Sequence, residues 1–153
     1  QEADARAPGR LMLAASSLAW PMLAMVALVF GVAVRLFLTR IPEMKRRSIH
    51  PQAVASAKQM AEAMEDTRAA DHFRNLFETP VLFYAGCLAA MQTGVASFGV
   101  LLMAWAFVAA RLLMAFEACG RNKVMRRFQA FIAGCTALLF LWIQLALHWA
   151  GVL

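Results

Sequence analysis

The chain has 153 residues, of which 62% are hydrophobic and only 16% are charged, and its net charge is +6. A soluble domain of this length would not carry several apolar runs of about 20 residues each, so the composition excludes a soluble globular protein and indicates an integral membrane protein. The basic excess is confined to a few segments. In a membrane protein such an excess reports topology, and no nucleic-acid partner is predicted.

The first predicted helix covers residues 16–39. Residues 1–9, which precede it, have no apolar core and are predicted to form a disordered tail. We expect the helix to stop close to Pro42, because proline cannot continue the hydrogen-bond ladder of a helix. Arg35 then lies near the inner end of this helix.

The second predicted helix covers residues 53–93, and it begins in a segment rich in good helix formers. Pro80 lies inside it and is expected to kink it. At 100° per residue, one face is polar and small and contains Arg74 and Glu78. In lipid we expect that face to pack against protein and the opposite, bulky face to contact acyl chains. The bulky face contains Leu76, Phe77, Pro80, Phe83 and Tyr84.

An uncharged run extends from Thr79 to Ala110, a span too long for one membrane crossing and too short for two. Two helices must therefore extend beyond it, and the third predicted helix covers residues 97–119. Glu78 and Arg111, which close the run, then lie in the hydrocarbon at equal distances from the turn between the helices. Charged residues at such depth usually face the protein interior and are candidates for function.

The fourth predicted helix covers residues 124–150. The chain is therefore predicted to be one membrane domain, residues 1–153, with the fold of an all-α, four-transmembrane-helix bundle. Basic residues cluster in 40–74 and 121–127, and the positive-inside rule places both segments on the cytoplasmic side. The N- and C-termini are then expected on the non-cytoplasmic side.

Several roles are open for the charges at depth. Glu78 and Arg111 could form no more than a structural ion pair, but Arg74 and Asn75 lie near the same level. The local positive excess would attract an anion, and arginine forks suit carboxylates. A proton or ion pathway would need a second acidic group or histidine at depth on the outer side, and His148 is expected to be an interfacial residue instead.

Arg35 and Arg127 also lie near the inner level, and each has two open interpretations. They add positive charge to the same cavity, or they are anchors whose heads extend into the cytoplasmic headgroups. The three cysteines (Cys87, Cys119 and Cys135) have no CxxC spacing and no histidine at metal spacing, so no metal site is predicted.

The segment Arg68–Pro80, which reads RAADHFRNLFETP, resembles the start of helix 2 in the MAPEG family, the membrane-associated proteins of eicosanoid and glutathione metabolism. The family pattern there is an Arg-Asn pair with a Glu three residues after the Asn. Trp105–Arg111 resembles the family's helix 3, and the basic turn ending in Arg127 resembles its 3–4 connection. Arg35 matches a helix 1 arginine of the prostaglandin E synthase branch.

The resemblance implies a homotrimer of four-helix protomers that binds glutathione, as a cosubstrate, between subunits near the cytoplasmic side. The positions that match binding residues are Arg35, Arg74, Asn75, Glu78, Arg111 and Arg127. Glutathione has two carboxylates and one amine, so several arginines and one glutamate complement it. Arg127, with Arg35 as second choice, is the candidate catalytic residue, because a positive charge near sulfur favours the nucleophilic thiolate.

Three positions depart from the family pattern. Met114 occupies a position where many members have histidine, while Ala118 and Phe131 replace aromatic hydroxyls of the eicosanoid enzymes. The leading hypothesis is a bacterial-type member in the inner membrane, with its site on the cytoplasmic side and a transferase- or peroxidase-like activity on lipophilic electrophiles. The alternative is a non-catalytic scaffold or an accessory subunit of a larger membrane complex.

Overall fold

The computed structural model describes residues 16–49, 56, 59, 73–119 and 124–152. The described residues form four helices and no strand: α1 (Ala19–Arg46), α2 (Thr79–Thr93), α3 (Phe98–Cys119) and α4 (Val124–Trp149). Helices α1, α3 and α4 are long and apolar enough to cross a membrane. The prediction of an all-helical membrane protein is therefore confirmed. Helix α2 has 15 residues, fewer than the roughly 20 that a crossing needs, so the fourth crossing stays a prediction.

Helix α1 ends at Arg46 and not near residue 39 as predicted, and Pro42 lies inside it. One proline removes a single hydrogen bond of the ladder, and this helix continues through it. Near its end the Arg47 Nε lies 3.6 Å from the Glu43 carboxylate, one turn earlier. The helix stops where Ser48 adopts a left-handed backbone conformation with φ of 53°. The predicted tail, residues 1–9, lies outside the described residues.

Helix α2 begins only at Thr79, and Pro80 lies in its first turn. Residues 73–75 form a single helical turn, and residues 76–78 form a separate turn before α2. The prediction of one continuous, kinked helix over 53–93 is therefore wrong at this point. The proline ring would clash with the carbonyl of Leu76 in a continuous helix, whereas the first turn of a helix accepts proline without loss. Apart from Ser56 and Gln59, residues 53–72 lie outside the described ones.

The turn between α2 and α3 begins at Gly94, between the two helices that the sequence predicts. Gly94 adopts φ of 71°, a left-handed conformation that glycine accepts without steric cost. The Val95 amide donates to the Ala90 carbonyl at 2.9 Å. The Ser97 hydroxyl accepts a hydrogen bond from the Val100 amide at 3.3 Å and so caps the start of α3.

The core lies along α3, whose contact with α4 is the most extensive in the bundle. The face of α3 that contains Arg111 is buried, as expected for a charged residue at depth. Its other buried members are Ala104, Val108, Ala115 and Ala118. Phe83 of α2 stacks on Phe107 of α3 with ring centroids 4.8 Å apart.

The orientation predicted for α2 is wrong within a single chain. On the bulky face Leu76, Pro80 and Phe83 are buried and Phe77 is exposed, as predicted for that residue alone. On the polar and small face Arg74, Glu78 and Ala85 are exposed. Large aromatic side chains make the most dispersion contacts when they pack into protein. The small face, which offers less contact area, is left on the outside of the protomer.

Candidate functional site

Arg111 is enclosed by the bundle at the level where α2 begins. It is 1% exposed, the lowest value among the described charged residues. One guanidinium nitrogen donates a hydrogen bond to the hydroxyl of Thr79, the first residue of α2. Another donates to the sulfur of Met114 at 3.4 Å. The guanidinium carbon lies 5.2 Å from the ring centroid of Phe107 and 5.6 Å from that of Phe131.

This surrounding supplies little negative charge. The Nε atom of Arg111 is buried and has no hydrogen-bond partner among the described residues. The direct oxygen acceptor is the neutral Thr79 hydroxyl, and Glu78 directly precedes Thr79 in the chain. Glu78 and Arg111 therefore lie at a common level. A buried cation with one neutral acceptor and two aromatic faces keeps a strong attraction for further negative charge.

The segment before α2 presents three of the predicted binding residues. Arg74 and Glu78 are exposed and Asn75 is half-buried. The Phe77 amide donates to the Arg74 carbonyl at 3.0 Å, which closes the turn that separates the short helical turn from α2. Because Thr79 follows Glu78 directly, its bond to Arg111 attaches this segment to α3.

Arg127 lies in the first turn of α4 and is half-buried. Phe131, one turn later, contacts Arg111, so Arg127 lies about 6 Å further toward the end of the bundle at which α4 begins, at 1.5 Å per residue.

Arg35 lies on α1 and is exposed. Phe30 of α1 and Phe77 line one apolar groove between α1 and the start of α2. Five further residues place Arg35 about 7.5 Å from Phe30 along the helix axis, toward the C-terminal end of α1. In one chain the six predicted residues therefore form three groups: residues 74–78 with Arg111, then Arg127, then Arg35. Their roles in binding and catalysis stay predictions.

The residues that depart from the family pattern surround Arg111. The Met114 sulfur and the Phe131 ring contact the guanidinium, and Ala118 is fully buried on the same face of α3. A thioether is a weak acceptor and a phenyl ring has no hydroxyl. These substitutions therefore replace hydrogen-bonding groups around the cation with an apolar and aromatic lining.

Sequence reasoning missed two contacts. The first is the hydrogen bond between Arg111 and Thr79. Thr79 is uncharged and so gave no signal in the sequence, although it follows Glu78 and lies at the same level. The second is a partly buried ion pair, in which the Glu117 Oε1 lies 3.3 Å from the Arg126 Nη1. The i to i+9 spacing across a short connection could have indicated this pair. Among the described residues, no group of three or more His, Cys, Asp or Glu could hold a metal ion.

The family model described as the MAPEG family matches residues 18–147. Neither a curated protein nor a solved structure matches the chain. The family match covers all four described helices almost completely, from the start of α1 to near the end of α4. The chain therefore belongs to the MAPEG family.

Proposed function

We propose that this protein binds glutathione and transfers it to, or uses it to reduce, lipophilic electrophiles that enter from the bilayer. The observation that carries the proposal is the attachment of the exposed Arg74–Glu78 segment to the enclosed cation Arg111 through Thr79. This arrangement presents an arginine, an amide and a carboxylate on one short segment beside a buried positive charge. Membership of the family supports a glutathione-related function.

The binding roles follow from what each group can reach. Arg74 suits a glutathione carboxylate, Glu78 suits its ammonium group, and Asn75 can donate to or accept from a peptide group. Because Arg111 is enclosed within one chain, we assign it two indirect roles. It contributes positive charge to the site, and its hydrogen bond holds Thr79 in position. The exposed face of residues 74–78 would be completed by a second copy of the chain in a homotrimer.

Arg127 is the proposed catalytic residue, with Arg35 as second choice. In conjugation, the glutathione thiol loses its proton to solvent and the resulting thiolate attacks the electrophilic carbon. With an aryl halide, a carbon–sulfur bond forms, the carbon–halogen bond breaks and halide leaves. A guanidinium beside the sulfur stabilises the thiolate and so increases the fraction of nucleophile.

The topology proposed from the basic segments fits this assignment. Residues 40–74 and 121–127 are the two basic segments. Arg35 lies just before the first segment, Arg74 ends it, and Arg127 ends the second. The positive-inside rule places those segments at the cytoplasmic side, where glutathione is available, and both termini on the opposite side. We propose the bacterial inner membrane as the location.

A second candidate function is a non-catalytic scaffold or accessory subunit. The specific observation that favours it is the apolar lining of Arg111 by Met114 and Phe131, where hydrogen-bonding groups are expected for catalysis in this family. The two candidates differ in whether glutathione binds. Titration calorimetry on the detergent-purified protein separates the two candidates. An absence of binding at millimolar glutathione would contradict the enzyme and leave the scaffold function as the remaining candidate.

The roles are tested by three alanine variants. Arg74→Ala and Glu78→Ala should each weaken glutathione binding about tenfold or more, because a hydrogen bond to a charged group contributes about 1.5–3 kcal/mol. Arg127→Ala should lower conjugation of a generic aryl halide more than it lowers binding. Arg46→Ala, at the inner end of α1 and outside the proposed site, is the control. Equal losses of binding and turnover in Arg127→Ala would contradict its catalytic role.

A further inference from the structure

An ion pair joins the last turns of α3 to the first turn of α4. The Glu117 Oε1 lies 3.3 Å from the Arg126 Nη1, and the two residues lie nine positions apart across the connection between the helices. The Glu117 side chain is 9% exposed, whereas that of Arg126 is 55% exposed. The second carboxylate oxygen, Oε2, is buried and has no hydrogen-bond partner among the described residues.

This pair is poorly explained by stability alone. A buried carboxylate that makes one bond recovers only part of its lost hydration, and apolar residues often replace such pairs without loss. Arg126 does not need the carboxylate either, because a long side chain at the end of a membrane helix can reach the headgroups. What the contact does supply is a fixed direction for Arg126, and therefore a fixed rotation for the start of α4.

The rotation of α4 decides where Arg127 lies. At 100° per residue, Phe131, which contacts Arg111, and Gly134, which lies beside Phe107 and Ala110, are about 40° and 20° from Arg127 on the helix surface. The buried residues of α4 extend from about 20° on one side of Arg127 to about 80° on the other. They are Gly134, Ala137, Leu138, Leu141 and Leu145. Arg126 lies about 100° from Arg127, beyond the edge of this stripe, where its bond to Glu117 reaches α3. The first turn of a helix has no intrahelical partner for its amides, so it frays most easily and gains most from a tether.

We propose that Glu117 is a positioning residue: by holding Arg126 it fixes the rotation of the first turn of α4 and so keeps Arg127 on the face that packs against α3. The inference rests on the proposed function in that Arg127 is the residue that acts on glutathione. Glu117 itself does not touch the substrate. Its removal should therefore affect the activation of the thiol and leave the binding of glutathione by residues 74–78 unchanged.

The test compares Glu117→Gln with the matched control Glu43→Gln, which removes a carboxylate from another arginine pair at the inner end of the bundle. In Glu117→Gln the glutathione dissociation constant should stay within about twofold of wild type. The turnover number and the ultraviolet absorbance of bound thiolate should each fall about tenfold, equivalent to roughly 1.4 kcal/mol. Glu43→Gln should leave all three unchanged, and Arg126→Lys, which can still pair, should retain most of the turnover.

A second measurement does not depend on glutathione. Hydrogen exchange of the amides at residues 128–131, the first in α4 with intrahelical acceptors, should become faster in Glu117→Gln and remain unchanged in Glu43→Gln. Unchanged exchange, or turnover and thiolate absorbance within twofold of wild type, would overturn the positioning role. If the wild-type protein binds no glutathione, the proposed function fails, and the exchange result still decides whether Glu117 holds the start of α4.

Discussion

At the scale of single residues, Arg111 has the most unusual environment among the described residues. Its guanidinium is enclosed, and its direct oxygen acceptor is the Thr79 hydroxyl. Leaving a buried charge without its acceptor costs far more than a typical hydrogen bond contributes, because the charge cannot regain water in the bundle. Thr79 should therefore matter to stability more than an uncharged residue at a helix start usually does.

The first prediction concerns this pair. Thr79→Val should destabilise the protein by about 1–3 kcal/mol, whereas Thr79→Ser, which keeps the hydroxyl, should remain close to wild type. Thermal unfolding in detergent measures both. Combining Thr79→Val with Arg111→Met should cost less than the sum of the two single changes, because the acceptor has no role once the cation is gone. The same cycle with Glu78→Gln in place of Thr79→Val should show a smaller coupling free energy, since Glu78 acts on Arg111 only at longer range. Strictly additive losses for Thr79→Val and Arg111→Met would contradict the contact.

The residues of this site could be predicted only in part from the sequence. The absence of charge between Thr79 and Ala110 is enough to predict that Glu78 and Arg111 lie at one level. It does not reveal which neighbour satisfies the guanidinium, because that depends on the direction of side chains across a helix pair. The apolar lining by Met114 and Phe131 became visible only with the packing of α3 against α4.

At the scale of helices, α2 departs most from its prediction because Pro80 has two possible roles. A proline inside a helix kinks it, and a proline in the first turn starts it. The sequence alone leaves both possible, and the break at residues 76–78 shows that the second role applies here. The direction of α2 is then set on its other side by α4, where the Trp142 indole donates to the Leu82 carbonyl at 3.2 Å.

The second prediction tests this contact of α2 with α4. A Cβ added at Gly86 would lie 2.7 Å from a terminal carbon of Leu141 and 3.4 Å from the Trp142 ring. Gly86→Ala should therefore cost about 1–3 kcal/mol in overpacking, offset by about 0.5–1 kcal/mol of helix propensity. Gly31→Ala is the matched control, because nothing lies within 4 Å of that position, and it should be neutral or slightly stabilising. Equal melting temperatures for the two variants would show that Gly86 is not needed for the close approach.

At the scale of the whole molecule, one chain leaves the small and polar face of α2 exposed. The sequence predicted that this face packs against protein, and within a single protomer it does not. Periodicity identifies the two faces of a helix, but it does not say whether the partner of a face belongs to the same chain. At the membrane depth predicted from the sequence, exposed Arg74 and Glu78 would be costly against acyl chains. This cost favours a second copy of the chain as the partner, in line with the homotrimer that the family resemblance implies.

The last prediction tests that assembly. Ala85 lies on the exposed face of α2, so Ala85→Trp should obstruct the approach of another copy and convert trimers to smaller species in native mass measurement in detergent. Leu139→Trp, at an exposed position of α4, adds a comparable bulk on a face where we expect lipid, and it should leave the trimer intact. If the glutathione site lies between subunits, Ala85→Trp should also lose glutathione binding in proportion to the loss of trimer. A wild-type protein that is monomeric would remove the intersubunit site and favour the accessory subunit, because a single copy could then bury this face against a different protein.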